Sequence, residues 1–284
     1  MANWLSILQE FQVEAPAPTR PKGVVPTLEP NPKAILFDVY GTLVCSQVGD
    51  LNEQARLASG KDSFIATAER FGFSEEIGRK WYRWFFEAIS LEHQEQEKQG
   101  ITPAEVQIDG VWTEMITRAG GDPSLNQARM LAVYREMMAN PVQPFSGAAK
   151  ALSKLKGSGI MLGLASNSQF YTLPILEKAL GIKPEEFFHG ELIFLSFRLG
   201  FSKPSPYFFR LIRTTAVNLG LRPEEVLVVG NDCENDVSPA KAQGLQALLF
   251  WGNAQSVRLS GTIGQGPMVT NYETLLKACG MRSG

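Results

Sequence analysis

The sequence contains little of what disulfide scaffolds, zinc sites and membrane spans require. Three of its 284 residues are cysteine, namely Cys45, Cys233 and Cys279. This odd and widely spaced set favours neither a disulfide framework nor a zinc site. No uninterrupted apolar run approaches the ~18 residues of a membrane-spanning helix. We therefore expect a cytoplasmic protein with no membrane partner.

An excess of charge of one sign is also absent. The 27 Lys and Arg side chains nearly balance the 29 Asp and Glu side chains, and the formal net charge is -2. No segment concentrates lysine and arginine in the way that nucleic-acid-binding surfaces do. We therefore expect no nucleic-acid partner. The first residues also lack the basic start of a secretory signal, which agrees with the expected cytoplasmic location.

The N-terminal residues predict a short helix followed by an extended linker. Apolar side chains recur at helical spacing over residues 3–12, which indicates an amphipathic helix that docks on the core. Residues 15–33 then contain six prolines, a composition typical of an extended, partly polyproline segment. We therefore expect an N-terminal arm and linker over residues 1–32.

The chain from residue 33 onward predicts an α/β core. Residues 34–38 are the first strand candidate, a short apolar run that ends on a carboxylate. Beyond residue 144, strand-like runs alternate with helix-like segments, which is typical of a parallel sheet with helices on both faces. The later strands are predicted over residues 160–165, 191–195, 226–230 and 246–250, and the helices over residues 146–157, 172–180, 205–219 and 237–243.

A long all-helical stretch interrupts this alternation. Residues 50–142 carry helical patterns only and follow closely on the first strand. We expect this insertion to lie over the edge of the sheet where open α/β folds bind their ligands. The chain is therefore expected to divide into a discontinuous α/β core, residues 33–48 and 144–284, and an all-helical cap domain, residues 49–143.

Polar side chains follow the predicted strands at the points where those strands end. Asp38 ends the first strand, Ser166 and Asn167 follow the second, Lys203 lies in a later loop, and an acidic cluster follows residues 226–230. The carboxyl ends of parallel strands meet at one edge of a sheet. We therefore expect these groups to form a single site.

Four short motifs occupy these places. They are FDVYGTLV (37–44), LASNS (164–168), SKPSP (202–206) and VVGNDCENDV (228–237). In order and spacing they resemble the four motifs of the haloacid dehalogenase superfamily, and the helical insertion falls where that family keeps its helical cap. The resemblance implies a Rossmann-like parallel sheet with helices on both faces and an all-helical cap domain inserted after the first strand.

The resemblance also implies a role for each motif. Asp38 would be the nucleophile, forming an aspartyl ester that water then hydrolyses. Ser166 would hydrogen-bond the transferring group, and Lys203 would offset the negative charge of Asp38 and of the substrate. Thr42 and Asn167 are expected to bind the substrate.

In the phosphatase branch of this family, a Mg²⁺ ion lies between the nucleophile and the phosphoryl oxygens. The ligands that the resemblance implies are Asp38, the carbonyl of Tyr40, Asn231 or Asp232, and Asp236, which alternatively bonds to Lys203. The choice between Asn231 and Asp232 stays open, because Asn231 occupies the place where the family usually has an aspartate. A different interpretation is that Asp232 and Asp236 only cap the helix that begins near Val237.

Tyr40 departs from the phosphatase pattern. Phosphatases of the family carry a second aspartate there as general acid and base. A phenol with a pKa of about 10 is a poor base at neutral pH, although Tyr40 can still act as a catalytic proton donor. Tyrosine at this place is typical of the 2-haloacid dehalogenases, whose halide leaving group needs no proton. Those enzymes lack a metal and an acidic fourth motif, however. Because carboxylates clustered beside Asp38 would otherwise only repel it, we give the fourth motif more weight.

The sequence thus predicts a hydrolase with an aspartate nucleophile. We expect a Mg²⁺-dependent phosphatase whose substrate is a small, anionic phosphorylated metabolite. Two alternatives stay open, a metal-independent 2-haloacid dehalogenase and a catalytically weak binding protein of the same fold. The sequence identifies neither the substrate nor the oligomeric state.

Overall fold

The fold was analysed in a computed structural model of the chain. The structure describes residues 3–11, 25–46, 53–254, 256–259 and 267–281, with side chains described from residue 60 onward in the third range. The first part of the predicted proline-rich linker, up to residue 24, lies outside these residues.

A parallel sheet of six strands forms the centre of the described residues. Its strand order is β5-β4-β1-β6-β7-β8, and every neighbouring pair is parallel. A separate antiparallel pair joins β2 to β3. The strands are β1 (Ala34–Phe37), β2 (Val44–Ser46), β3 (Val142–Pro144), β4 (Met161–Ser166), β5 (Ile193–Leu195), β6 (Val226–Gly230), β7 (Gln246–Phe250) and β8 (Met268–Val269).

Helices flank this sheet and make up most of the remaining described chain. They are α1 (Trp4–Gln9), α2 (Glu53–Arg70), α3 (Glu75–Lys98), α4 (Ile108–Arg118), α5 (Leu125–Ala139), α6 (Ala148–Gly157), α7 (Thr172–Leu180), α8 (Pro184–Phe187), α9 (Ser196–Leu199), α10 (Pro206–Asn218), α11 (Ser238–Ala242) and α12 (Tyr272–Ala278). None of these helices has the combination of length and apolar character that crossing a membrane requires.

Both faces of the sheet are covered, because alternate residues of β1 enter different hydrophobic clusters. Ile35 and Phe37 pack in the cluster that contains α6, α7 and α12. Ala34 and Leu36 pack in the cluster that contains α10 and α11. Each of these four strand residues is completely buried. The predicted parallel sheet with helices on both faces is therefore confirmed, and it reflects the period-two alternation of side chains along a strand.

The predicted helical stretch forms four helices, α2 to α5, between β2 and β3. Their apolar faces meet around Trp81 and Trp112, both fully buried, whose ring centroids lie 5.4 Å apart. Two of the helices begin at serines whose hydroxyls accept hydrogen bonds from the first turn, at Ser74 and Ser124. We call α2 to α5 the helical insertion. The assignment of separate arm, core and cap domains stays a prediction.

The helical insertion lies against the carboxyl edge of the sheet. The loop between α3 and α4 contacts the chain beside Lys203, where the amide of Ser202 donates to the carbonyl of Pro103 at 3.0 Å. Gln169, just after β4, donates to the carbonyl of Val106 at 2.8 Å. These contacts place the insertion next to the predicted site.

The N-terminal helix α1 docks as the sequence predicts. Ile7 and Leu8 are buried against the rest of the core. Lys178 of α7 donates to the carbonyls of Leu8 and Phe11. The amide of Trp4 donates to Asn126 Oδ1 of α5 at 3.2 Å. Helix α1 therefore bridges the helical insertion and the α/β core.

Candidate active site

The predicted site residues converge at the carboxyl ends of three adjacent strands. Asp38 follows β1, Ser166 ends β4, and Asn231 follows β6. The turn after Asp38 requires glycine at position 41, where φ is 91° and a side-chain methyl group would collide with Asn231. Local backbone geometry thus brings the first and fourth motifs into contact.

Lys203 is the buried cation of the site. Its Nζ donates to Asp38 Oδ1 at 2.9 Å, to Asp236 Oδ1 at 2.5 Å and to the carbonyl of Ala165 at 2.9 Å. Burial alone would lower the pKa of Lys203, but the charges of Asp236 and Asp38 outweigh burial and raise it. The ammonium group is therefore permanently charged and carries its full set of three donors.

Both carboxylate oxygens of Asp236 accept hydrogen bonds. Oδ1 accepts from Lys203, and Oδ2 accepts from the amide of Asp232 at 3.1 Å. Of the two predicted roles for Asp236, the structure shows the bond to Lys203. Metal coordination by Asp236 stays a prediction.

Asp232, also predicted as a metal ligand, accepts hydrogen bonds inside the fourth motif, and its binding of a metal stays a prediction. Its Oδ1 accepts the amides of Glu234 and Asn235 at 2.8 and 2.9 Å, and its Oδ2 accepts the side-chain amide of Asn235 at 2.9 Å. This is the hydrogen-bonding pattern of a helix N-cap, here for the turn Cys233–Val237. The structure therefore agrees with the capping interpretation of Asp232, because its carboxylate accepts hydrogen bonds from backbone amides of the first turn.

Asn231 faces the nucleophile where Asp232 does not. Its Nδ2 donates to the carbonyl of Ser256 at 2.5 Å, which directs Oδ1 towards the hydroxyl of Thr42 at 3.5 Å. The same hydroxyl lies 3.5 Å from Asp38 Oδ2. The contacts of the two side chains favour Asn231 over Asp232 as the ligand, and metal binding by either residue stays a prediction.

Thr42 and Asn167, both expected to bind substrate, form hydrogen bonds with other residues of the protein. Thr42 is completely buried. Asn167 donates to the carbonyl of Lys203 at 3.0 Å and accepts its amide at 2.7 Å. Their contacts favour the positioning of Asp38 and Lys203, and substrate binding by either residue stays a prediction.

Ser166 lies at the end of β4 and is fully buried. Its hydroxyl donates to the carbonyl of Asn167 at 3.3 Å, and its own carbonyl accepts from Ser168 Oγ at 3.2 Å. The predicted hydrogen bond from Ser166 to a transferring group stays a prediction.

Tyr40 points from the first motif towards α7. Its hydroxyl lies 3.0 Å from Thr172 Oγ1 in hydrogen-bonding geometry. Burial, and then the charge of Glu136 from the helical insertion, raise the pKa of Tyr40 well above its ordinary value. The phenol is therefore neutral at physiological pH, which excludes it as a general base there.

A small hard cation fits the oxygens beside Asp38. Asp38 Oδ2 and Asn231 Oδ1 face the same hydroxyl, and the carbonyl of Tyr40 belongs to the same turn. No cluster of three or more His, Cys, Asp or Glu side chains suited to a metal occurs among the described residues. One carboxylate with neutral oxygens is nonetheless a donor set that Mg²⁺ accepts when substrate and water supply the other positions.

Several residues that support the site were not identified from the sequence. Tyr272 of α12 donates to the carbonyl of Thr42 at 2.6 Å, and Ser256 orients Asn231. Thr172 holds the Tyr40 hydroxyl. These residues lie far along the chain from the motifs they support, and no local pattern marks them.

Comparison with protein families gives a match over most of the chain. A profile described as haloacid dehalogenase-like hydrolase matches residues 32–244. The chain is 29% identical over 138 residues to phosphoserine phosphatase of Thermus thermophilus, covering 49% of this chain and 52% of that protein. It is 26% identical over 214 residues to glyceraldehyde 3-phosphate phosphatase of Methanopyrus kandleri, covering 75% and 81%. The first match thus spans about half of the relative's length.

Solved structures share the fold. A defluorinating L-2-haloacid dehalogenase superposes with a TM-score of 0.52 at 18% identity, covering 91% of this chain and 100% of that one. A phosphatase of the haloacid dehalogenase type from Thermococcus onnurineus gives 0.50 at 20% identity, covering 87% and 98%. At these identities the likeness shows the fold alone. Dehalogenases and phosphatases both adopt it, so the fold does not select the chemistry.

Proposed function

Because the chain belongs to the haloacid dehalogenase-like hydrolases, we propose that it is a Mg²⁺-dependent phosphatase of a small phosphorylated metabolite. The observation that carries the proposal is the buried pairing of Lys203 with both Asp38 and Asp236. A nucleophilic carboxylate held against a permanent cation suits attack on a dianionic phosphoryl group, whose charge would otherwise repel it. The phosphatase names of the two sequence relatives support the same choice.

In the proposed reaction, Asp38 bonds to phosphorus while the bond from phosphorus to the ester oxygen breaks. Lys203 donates to Oδ1 of Asp38 at 2.9 Å and so fixes the orientation of the attacking carboxylate. The alcohol departs and takes up a proton, and water then cleaves the aspartyl phosphate to release phosphate and regenerate the carboxylate.

The metal would be held by Asp38, the carbonyl of Tyr40 and the amide oxygen of Asn231. When bound, Mg²⁺ supplies positive charge that stabilises the phosphoryl oxygens. Lys203 holds Asp38 in place, and Asn167 holds the backbone of Lys203. Since the raised pKa of Tyr40 makes its phenol a weak proton donor to the leaving alcohol, we expect modest turnover except with good leaving groups.

A decisive test measures phosphate release from a panel of phosphomonoesters with Mg²⁺ and with chelator. We expect turnover that requires Mg²⁺ and that falls at least about 1,000-fold in Asp38→Asn. Asp62→Asn, which changes an exposed carboxylate on α2, is the matched control and should retain the rate. Activity that survives Asp38→Asn or ignores the chelator would reject the proposal. The absence of any turnover above the Asp38→Asn background would leave the binding-protein alternative.

The second candidate function is a 2-haloacid dehalogenase, which Tyr40 favours. The same preparation should then release halide from 2-chloropropanoate without added metal. We expect no halide release, because this chain keeps the acidic fourth motif that those dehalogenases lack, with Asp236 bonded to Lys203. Halide release at a rate above that of Asp38→Asn would select the dehalogenase instead.

We also propose a cytoplasmic location, with no nucleic-acid partner. In support, all three cysteine thiols are unpaired, as is usual in a reducing compartment. Thiol titration of the protein from its native source, with and without reductant, checks the thiol state.

A further inference from the structure

A small cavity lies between the helical insertion and the α/β core. Its volume is about 140 Å³. For comparison, an apolar cavity of about 150 Å³ accommodates benzene, a molecule of six heavy atoms. Phe85, Ile89, Val106, Ile108, Trp112 and Ala132 form its apolar wall. The polar lining consists of His93, Glu105, Arg135, Glu136, Gln169 and Tyr171.

Arg135 is the buried cation of this cavity. Only 3% of the residue is exposed, and its guanidinium lies over the rings of Phe64 and Phe85, 4.8 and 5.2 Å from their centroids. Its Nε has no hydrogen-bond partner among the described residues. A buried guanidinium with an unused donor is costly, and a carboxylate is the anion whose geometry matches it best.

The cavity carries negative charge as well. Glu136 Oε2 lies 3.5 Å from Arg135 Nη1, and its Oε1 accepts from Asn140 at 3.0 Å. Glu105 lines the same cavity, where Gln169 donates to its Oε1 at 2.9 Å. Two carboxylates and one guanidinium therefore line the same cavity. A purely anionic ligand would meet repulsion from the carboxylates, whereas a ligand that also has an ammonium group would not.

The cavity adjoins the reaction site through Tyr40. The Tyr40 hydroxyl pairs with Thr172, next to the cavity residue Tyr171. The same Thr172 hydroxyl accepts the amide of Gln169, another cavity residue, at 3.1 Å, so two hydrogen bonds link the cavity to the turn that carries Asp38. The alcohol half of a phosphomonoester that Asp38 attacks would thus extend towards the cavity.

We propose that this cavity binds the alcohol half of the substrate, with Arg135 pairing with a carboxylate and Glu136 with an ammonium group. The substrate class is the phosphomonoester of a small hydroxy-amino acid. This inference rests on the proposed phosphatase function and makes Arg135 and Glu136 its specificity-determining residues.

Four small phosphomonoesters test the carboxylate contact of Arg135 and the ammonium contact of Glu136 separately. O-phospho-L-serine carries both charged groups, 3-phosphoglycerate replaces the ammonium by a hydroxyl, O-phosphoethanolamine lacks the carboxylate, and glycerol 3-phosphate has neither. We expect the highest kcat/KM for O-phospho-L-serine, with a loss of roughly 10- to 100-fold on removal of either group.

Two substitutions should remove the carboxylate contact and the ammonium contact one at a time. Arg135→Gln should reduce kcat/KM for the two carboxylate-bearing esters and abolish the advantage of O-phospho-L-serine over O-phosphoethanolamine. Glu136→Gln should reduce kcat/KM for the two ammonium-bearing esters and spare 3-phosphoglycerate. Arg118 and Glu87 provide matched controls, because they form an exposed ion pair of 3.3 Å with Arg118 over the Trp84 ring. Arg118→Gln and Glu87→Gln should leave all four ratios unchanged.

The outcomes separate this inference from the proposed function. Equal kcat/KM for the four esters, with Asp38 and Mg²⁺ still required, would overturn the inference and leave the phosphatase function intact. The absence of phosphate release from every ester would reject the function first. If Arg135→Gln fails to fold, Arg135→Lys, which loses the bidentate guanidinium, should still lower kcat/KM for the carboxylate-bearing esters, and Glu136→Gln still tests the ammonium contact. Unchanged substrate ratios in both would overturn the inference.

Discussion

Lys203 donates from its Nζ to Asp38 Oδ1 across 2.9 Å, although 165 positions separate the two residues in the chain. Both side chains are almost completely buried. The pairing exists because the loop that carries Lys203 folds back over the carboxyl end of β1. The pairing fixes Oδ1 of Asp38 and leaves Oδ2 to face the hydroxyl of Thr42.

Removal of the Lys203 charge should abolish most of the activity. In Lys203→Met, Asp38 and Asp236 would lose their shared cation and repel each other. We expect kcat/KM to fall about 100- to 1,000-fold, together with a lower melting temperature. Lys183→Met, at an exposed lysine paired with Glu186, should change neither. Wild-type kinetics in Lys203→Met would contradict the assignment.

Tyr40→Asp should increase phosphatase turnover. The substitution supplies the carboxylate that can exchange a proton with the leaving alcohol, an effect of about 100-fold or more. The measurement is kcat for a phosphomonoester with a poor leaving group, and the absence of a gain would count against the phosphatase mechanism.

Tyr40→Phe is the matched control for that substitution. Because the pKa of Tyr40 is raised above its ordinary value, the phenol does not titrate between pH 6 and 9. The pH profile of kcat should therefore keep its shape in Tyr40→Phe. The lost hydrogen bond to Thr172 should cost about 1 kcal/mol of stability, measured by urea unfolding. A changed profile would show that Tyr40 exchanges protons in the reaction.

Substitutions at Asn231 and Asp232 should separate an effect on Mg²⁺ binding from an effect on the free energy of unfolding. Asn231→Ala removes a proposed ligand and should raise the Mg²⁺ concentration for half-maximal activity. Asp232→Ala removes a helix cap and should lower the free energy of unfolding by about 1 kcal/mol without altering that concentration. Magnesium titrations and urea unfolding of both variants test this division, and the reverse pattern would restore Asp232 as the ligand.

Glu225 should make the protein sensitive to acid. It accepts hydrogen bonds from Lys33 Nζ at 2.7 Å and from the Arg222 amide at 2.9 Å. These contacts lower its pKa from 4.5 to about 2. Because the folded pKa lies below the unfolded one, the stabilisation is complete above pH 4.5 and is lost as the pH falls towards 2.

Glu225→Gln should therefore weaken the dependence of unfolding on pH. The wild type should lose more stability than this variant between pH 6 and pH 3 in urea unfolding. Glu75→Gln, at an exposed pair with Arg79, should follow the wild type. Parallel curves for Glu225→Gln and the wild type would show that the Glu225 contacts do not persist in solution.

Much of the architecture follows from local sequence patterns. Strands β6 and β7 have the predicted bounds, because short apolar runs bounded by polar residues can be buried only as strands inside a parallel sheet. The convergence of Asp38 with Lys203 also follows, since parallel strands share one carboxyl edge. By contrast, β8 and the β2–β3 pair escaped prediction, because two or three residues are too few to show a period.

The sequence by itself determined the sheet, the helical insertion and the acid–lysine core of the site, because apolar periodicity and the residues at strand ends are local properties of the chain. Only the tertiary structure decided that Asn231 rather than Asp232 faces the nucleophile, and that Arg135 lines a cavity beside Tyr40. Those outcomes depend on which atoms meet across long stretches of chain. Side-chain direction, capping amides and burial set that geometry, and none of them is readable from the spacing of residues.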